Sequence, residues 1–209
     1  MYNAGMEYLS KLFGSPARVK LLRLFTSNPE TVYDRDAVVK MARITPETAS
    51  RELSALARAD VIQRRTFFKE VVRPGGKASK KRKTVGWVLN SKYRYLNALT
   101  IFMKESLSVS TKDISKRFRG TGTIKLLVLS GFLAGNKEGS LDLLIVGERI
   151  KEQLIKNAIQ SLEAECGQEI RYMVLQTDEY HYRRRVRDKF MREVIDFPHV
   201  EVVNRLARV

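Results

Sequence analysis

Cysteine occurs once, at Cys166, and histidine only twice, at His181 and His199. One thiol cannot build a disulfide framework or a thiolate zinc site within a chain, and the two histidines have no ligand-like spacing. Long apolar runs are also missing: no window reaches the roughly 18–20 apolar residues of a membrane span. The first ten residues carry no positive region followed by an apolar stretch, so no signal peptide is expected. A single thiol is compatible with a reducing compartment, and these absences point to a cytoplasmic protein with no membrane partner.

Acidic residues are scarce as well. Lysine and arginine number 39 against 23 aspartates and glutamates, a formal charge of +16, and such an excess suggests a polyanionic partner. The imbalance is concentrated at one end. Residues 1–95 hold 20 basic and 8 acidic side chains, whereas residues 96–209 hold 19 and 15. The polyanion is therefore expected to meet the first half, while the second half has the balanced surface of an ordinary domain. With 209 residues, 44% of them hydrophobic, the chain can bury the cores of two small domains.

Helix signals punctuate the first half. Ser15-Pro16 combines a capping hydroxyl with a proline whose missing N–H costs nothing at the first helical position. The spacing of Val19, Leu22 and Phe25 predicts a helix to about Ser27, stopped at Asn28-Pro29. Asp34 caps a second predicted helix over 35–42, burying Val38 and Met41. Thr45-Pro46 repeats the cap-and-proline signal and opens a third, to about Ala59, across the short turn Arg43-Ile44. Two helices joined by a tight turn form a helix-turn-helix pattern.

The third predicted helix is two-faced. Ala49, Leu53 and Leu56 fall on one side, and Glu47, Thr48, Arg51, Ser54 and Arg58 on the other. That polar face suits a major groove: Arg51 can fork onto a guanine, Thr48 can reach a base edge or a thymine methyl, and Ser54 and Arg58 can hold phosphates. Thr45 and Glu47 sit at its leading end. An extended run from Val61 to Val72, a break at Pro74-Gly75-Gly76 and a returning strand over 84–89 predict a β-hairpin with a long tip. The tip, 77–83, carries Lys77, Lys80, Lys81, Arg82 and Lys83, too charged to pack on a core and suited to phosphate. Arg82 is the one suited to a narrow minor groove. Alternatives are a solvated helix face and a basic loop that binds any nucleic acid.

Residues 9–92 resemble the winged-helix transcriptional regulators of the ArsR and MarR kind. The resemblance rests on Ser15-Pro16-Ala17-Arg18-Val19-Lys20-Leu21-Leu22, on Thr45-Pro46-Glu47-Thr48-Ala49-Ser50-Arg51-Glu52-Leu53, and on Ala59-Asp60-Val61-Ile62 leading into the wing. It implies double-stranded DNA as partner, the third helix in the major groove and the hairpin on the backbone or minor groove. The metal-sensing cysteine pair of ArsR-type proteins is absent, so metal sensing is not implied. Leu96, Leu99 and Met103, with Tyr95 and Phe102 beside them, predict an amphipathic helix within 92–109 that links two domains, pairs with its copy in a homodimer, or completes a core.

Beyond this joint the texture changes. Strands are predicted over 124–129, 141–146, 169–176 and 199–203, with helices over 148–165 and, capped by Thr177, 177–194, an alternation typical of layered folds. Leu129-Ser130-Gly131-Phe132-Leu133-Ala134-Gly135 followed by Gly139-Ser140-Leu141-Asp142-Leu143-Leu144-Ile145-Val146 resembles the signature of the minimal nucleotidyltransferase fold, over about residues 110–205. That resemblance implies a nucleotide-phosphate loop and carboxylates holding two Mg²⁺ ions. The chain departs from the pattern where chemistry needs it: Gly-Ser is inverted to Ser130-Gly131, Ser140 stands for the first aspartate, and a cation, Arg171, lies near the position of the third carboxylate. One carboxylate cannot hold a metal pair, so no catalytic residue, metal or cofactor is expected. Ser130, Gly131, Ser140 and Asp142 are candidates for a pocket holding a nucleotide or other small effector, with local pairing of Asp142 as the alternative. The run Arg183-Arg184-Arg185-Val186-Arg187 could extend the DNA footprint, bind an anion or simply face solvent.

The fold expected is α+β: a winged helix-turn-helix domain over 1–91, a linker or dimerisation helix over 92–109, and a small, catalytically inactive α/β nucleotidyltransferase-like domain with a mixed sheet over 110–209. The expected function is sequence-specific regulation of transcription. Its alternatives are a nucleotidyltransferase of antitoxin type with a nucleic-acid-binding appendage, and a protein that coats DNA without preference.

Overall fold

The computed structural model describes residues 4–72, 79–107, 110–135 and 139–206. They form a mixed α+β arrangement in two units, Met1–Ser108 with Glu163–Gln168, and Val109–Leu162 with Glu169–Val209. Among the described residues no helix is long and apolar enough to cross a membrane.

The first unit is built on three helices whose caps are readable in the sequence. In α2 (Pro16–Ser27) the Ser15 hydroxyl accepts from the N–H groups of Ala17 and Arg18 at 3.2 and 3.3 Å. In α3 (Arg35–Ala42) Asp34 accepts from Ala37 at 2.8 Å, and in α4 (Pro46–Arg58) Thr45 accepts from Thr48 at 3.3 Å. Each cap satisfies an N–H that the first turn leaves without an intrahelical partner. Between α3 and α4 the chain turns through Arg43, whose φ of 51° is left-handed and whose N–H closes on the Val39 carbonyl. Leu21, Leu24, Phe25, Val38, Ala49, Leu53 and Leu56 from these helices share one buried cluster. Burying a leucine or phenylalanine there stabilises the unit by about 1.5–3 kcal/mol per side chain.

An additional helix, α1 (Ala4–Phe13), precedes them, with Met6 and Leu9 packed on Val19. The Leu96, Leu99 and Met103 stripe of α5 (Leu96–Glu105) packs on the same core as α2–α4. Of the three roles open to that stripe, the structure uses it as an internal core face.

The hairpin differs from its expected shape. Strands β1 (Ile62–Val72) and β2 (Ser79–Leu89) pair antiparallel without a break in register, from Ile62 opposite Leu89 to Val72 opposite Ser79. The return strand thus begins five residues before the expected Thr84, and Lys80–Lys83 are ladder residues, not tip residues. The ladder is made by backbone groups, which charged side chains on a ribbon with solvated faces do not disturb. At its base Tyr33 and Trp87 exchange backbone hydrogen bonds of 2.9 and 2.8 Å. This approach requires Gly86, where a Cβ would lie 2.7 Å from the Tyr33 carbonyl oxygen.

Lys69 of β1 ties the ribbon to α3 through an ion pair with Asp34, Nζ to Oδ2 at 2.6 Å. Burial pushes the Asp34 carboxyl up, but the Lys69 ammonium and the Ala37 N–H outweigh it and hold the group below its ordinary value. A carboxyl depressed in the folded state contributes stability that is present above its unfolded value, about 3.9, and is lost as pH falls through the folded one. Asp34→Asn retains a capping oxygen but no charge. Its melting temperature is expected to lie below the parent's at pH 6 and to converge with it as pH falls through the depressed folded-state value; a gap independent of pH would deny the pair this role.

The second unit has a four-stranded mixed sheet in the order β5-β4-β3-β6. Strand β3 (Thr123–Leu129) is antiparallel to both β4 (Leu143–Glu148) and β6 (Val200–Asn204), while β5 (Tyr172–Leu175) runs parallel to β4. Helix α6 (Thr111–Arg117) precedes the sheet and α7 (Glu152–Cys166) joins β4 to β5. The single helix expected over 177–194 is two, α8 (Thr177–Arg185) and α9 (Lys189–Asp196). Arg187 turns left-handed at φ 54°, and the Asp188 carboxylate then caps the N–H groups of Phe190 and Met191. Thr177 is not a cap: Gln176 precedes the helix without a side-chain bond, and the Thr177 hydroxyl donates to Glu148.

Candidate nucleic-acid interface

Helix α4 presents two chemically distinct faces. Ala49, Leu53 and Leu56 are buried, and the exposed side carries Thr45, Glu47, Arg51, Ser54 and Arg58, with Thr48 half-buried beside them. Arg51 keeps 70% of its side chain exposed and makes one long ion-paired hydrogen bond, Nη2 to Glu52 Oε1 at 3.5 Å, so an external acceptor that takes its guanidinium fork competes with that single contact. Thr48 is more constrained, because the Thr45 hydroxyl donates to its oxygen at 3.1 Å within the cap. Glu47 lies in the first turn, where its own backbone N–H holds its carboxyl below the usual value.

Glu52 lay outside the sequence expectations and is what sets α4 against α2. It is 1% exposed, and its carboxylate receives the Arg18 Nε at 2.8 Å. An acidic residue in the middle of an apolar helix face was the available signal, since a buried carboxylate needs a partner.

The cations of the ribbon are sorted by strand alternation. Phe68 faces Lys83 and Glu70 faces Lys81 across the ladder, whereas Arg82 faces Lys69. Opposed residues share a face and successive residues alternate, so Lys81 and Lys83 lie with Arg64 and Phe68 on one face and Arg82 on the other. Lys81, Arg82 and Lys83 are all exposed, as are Arg64 and Arg65 of β1, which sequence reasoning did not include. Lys80 pairs through its backbone with Val71. Its side chain, and Lys77 altogether, lie outside the described residues.

In the second unit the four candidate pocket residues are brought together around a buried carboxylate. Asp142 is 0% exposed. Its Oδ2 accepts from the Arg171 Nε at 2.9 Å and the Arg171 backbone N–H at 3.0 Å; its Oδ1 accepts from the Arg171 guanidinium at 2.8 Å and the Phe132 N–H at 3.2 Å. The forked pair in turn holds the Arg171 guanidinium more firmly protonated than a free one. Ser130 is buried and donates to the Leu141 carbonyl at 2.6 Å, while Ser140 bonds to Glu193. Gly131 heads a short 3₁₀ turn (Gly131–Ala134) at φ 51°, where a Cβ would collide with the Asp142 carboxylate. A pair of Mg²⁺ ions does not fit these residues, because the guanidinium already lies against both oxygens of Asp142. Among the described residues no three His, Cys, Asp or Glu side chains gather as a metal site.

On α8, Arg183 bonds back to Glu179 at 2.8 Å, while Arg184 and Arg185, and Arg187 in the turn after the helix, are exposed. Comparison with protein-family models, with curated proteins and with solved structures returned no match for this chain.

Proposed function

We propose that the chain is a sequence-specific double-stranded-DNA-binding transcriptional regulator whose first unit acts as a winged helix. On this reading α4 lies in the major groove and the β1–β2 ribbon follows the backbone or minor groove. The observation that carries it is the pairing, within one unit, of a capped helix exposing Arg51, Ser54 and Arg58 with a ribbon exposing Arg64, Arg65, Lys81, Arg82 and Lys83. A helix that offers hydrogen-bonding side chains reads base edges, and cations on a projecting ribbon supply the phosphate contacts that position it.

The protein acts as a homodimer on this reading. The surface we assign to the contact is the exposed apolar part of α1 and α5, where Tyr8, Leu12, Ile101 and Phe102 are open to solvent and Phe13 meets Phe102 at 6.1 Å between ring centroids. Its place of action is the cytoplasm, with the DNA. The second unit is a non-catalytic accessory unit, supported by the closure of Arg171 on Asp142. We place no effector at Ser130, Gly131, Ser140 and Asp142, whose polar side chains are already paired within the unit.

The test is selection from a random duplex pool at two salt concentrations. A recovered palindrome with half-sites about one helical turn apart is expected. Binding with no enriched sequence would leave a DNA-coating protein, and Mg²⁺-dependent transfer from a labelled nucleotide would restore the transferase alternative. On the selected site, replacing Lys81 and Lys83 together with alanine should weaken selected and random duplexes alike. It should also reduce the slope of log K against log salt by about 2, since each phosphate no longer neutralised removes about 0.9. An unchanged slope would take the ribbon off the phosphates.

A further inference from the structure

The ribbon carries a feature that phosphate binding leaves unexplained. Phe68 is 67% exposed in the middle of β1, and Val85 is 53% exposed on β2. Cross-strand pairing of Phe68 with Lys83 and of Thr66 with Val85 puts both on one face. That face also bears Arg64, Lys81 and Lys83, with Glu70 the only acid among its described side chains. An aromatic ring at the centre of a solvated ribbon adds nothing to the core of its own unit and leaves an adhesive spot beside an open strand edge.

We infer that Phe68 is an apolar wedge that enters between base pairs from the minor groove and bends the DNA, with Val85 beside it and Lys81 and Lys83 on the flanking phosphates. The inference rests on the duplex-binding reading above. The choice of occupant follows from charge. A second copy of a chain with net charge +16 docking on this face would set cations against Arg64, Lys81 and Lys83, whereas a duplex brings phosphates to them and a stack of apolar base faces to Phe68. A side chain that partly unstacks a step kinks the helix away from itself, and the bend then brings more phosphates to the protein. The same ring could instead stack on an unpaired base, and the experiment separates the two.

The experiment uses the full chain and duplexes carrying 2-aminopurine at successive positions, with a donor and acceptor dye on the ends of a parallel set. Binding by the parent protein should raise 2-aminopurine fluorescence at one step and shorten the end-to-end distance. Phe68→Ala should abolish both signals and lower affinity roughly tenfold, near the yield of burying one aromatic ring. Phe68→Leu, which keeps an apolar wedge, should retain the bend. The ring is too exposed for either variant to threaten folding, which the melting temperature verifies. A bound duplex that stays straight with unchanged 2-aminopurine signal, or Phe68→Ala that bends DNA as the parent does, overturns the wedge while leaving duplex binding intact. Tighter binding to a single strand with quenched 2-aminopurine overturns it in favour of base stacking. Absence of binding to any duplex, read by anisotropy, overturns the regulator reading and the wedge with it.

Discussion

Arg171→Met is expected to be the most damaging single substitution in the second unit. It strands a carboxylate that is 0% exposed, leaving it two backbone N–H groups in place of a forked guanidinium. Removing one partner of a buried ion pair costs about 3–5 kcal/mol, and the lower end applies because half of Arg171 is open to water. Hydrogen exchange at the amides of Leu143–Val146, in the strand that Asp142 leads into, reads the loss within that unit. Adding Asp142→Asn should restore part of it, since a neutral amide needs no counter-charge and still accepts one N–H. A variant as well protected as the parent would mean that the guanidinium is dispensable and that the carboxylate is held by its backbone donors alone.

The second large effect is expected on binding rather than folding. Arg51→Ala should cost about 1–3 kcal/mol on the selected DNA site, the worth of one bidentate contact to a base. That is roughly five- to 150-fold in Kd, with little change on random duplex. The helix should be unaffected, because alanine is a better helix former than arginine and the side chain is mostly exposed. Equal losses on both DNAs would reduce Arg51 to a phosphate contact and move base reading to Ser54 or Thr48. No change on either would take the polar face of α4 off the DNA.

Much of the first unit is legible from its punctuation. Ser15, Asp34 and Thr45 cap the helices they were expected to cap, because a cap is a local event between a side chain and the next three residues. The missed helix α6 had a weaker signal. Helix α6 has only Ile114 and, just past its end, Phe118 to bury, too little to establish a period, and Ser110 before it makes no capping bond. The break between α8 and α9 was in principle visible in Asp188, which competes for backbone N–H groups as a cap, but the arginine run around it reads as one charged helix. Lysines are poor strand formers, so 80–83 read as a loop although the ladder carries them.

Sequence alone determined which residues could carry chemistry and where the helices of the first unit start, since charge, capping and apolar spacing act over a few residues. It showed that Asp142 stands without a second aspartate and that one face of α4 is polar. Tertiary structure decided what each is joined to. Arg171 lies 29 residues beyond Asp142, and Glu52 lies 34 beyond Arg18, separations at which no local period relates two residues. Whether a buried charge is closed off or left open depends on which strand arrives beside it. The same holds for the ribbon: register, a property of two strands together, put Phe68 beside Lys83 on an open face.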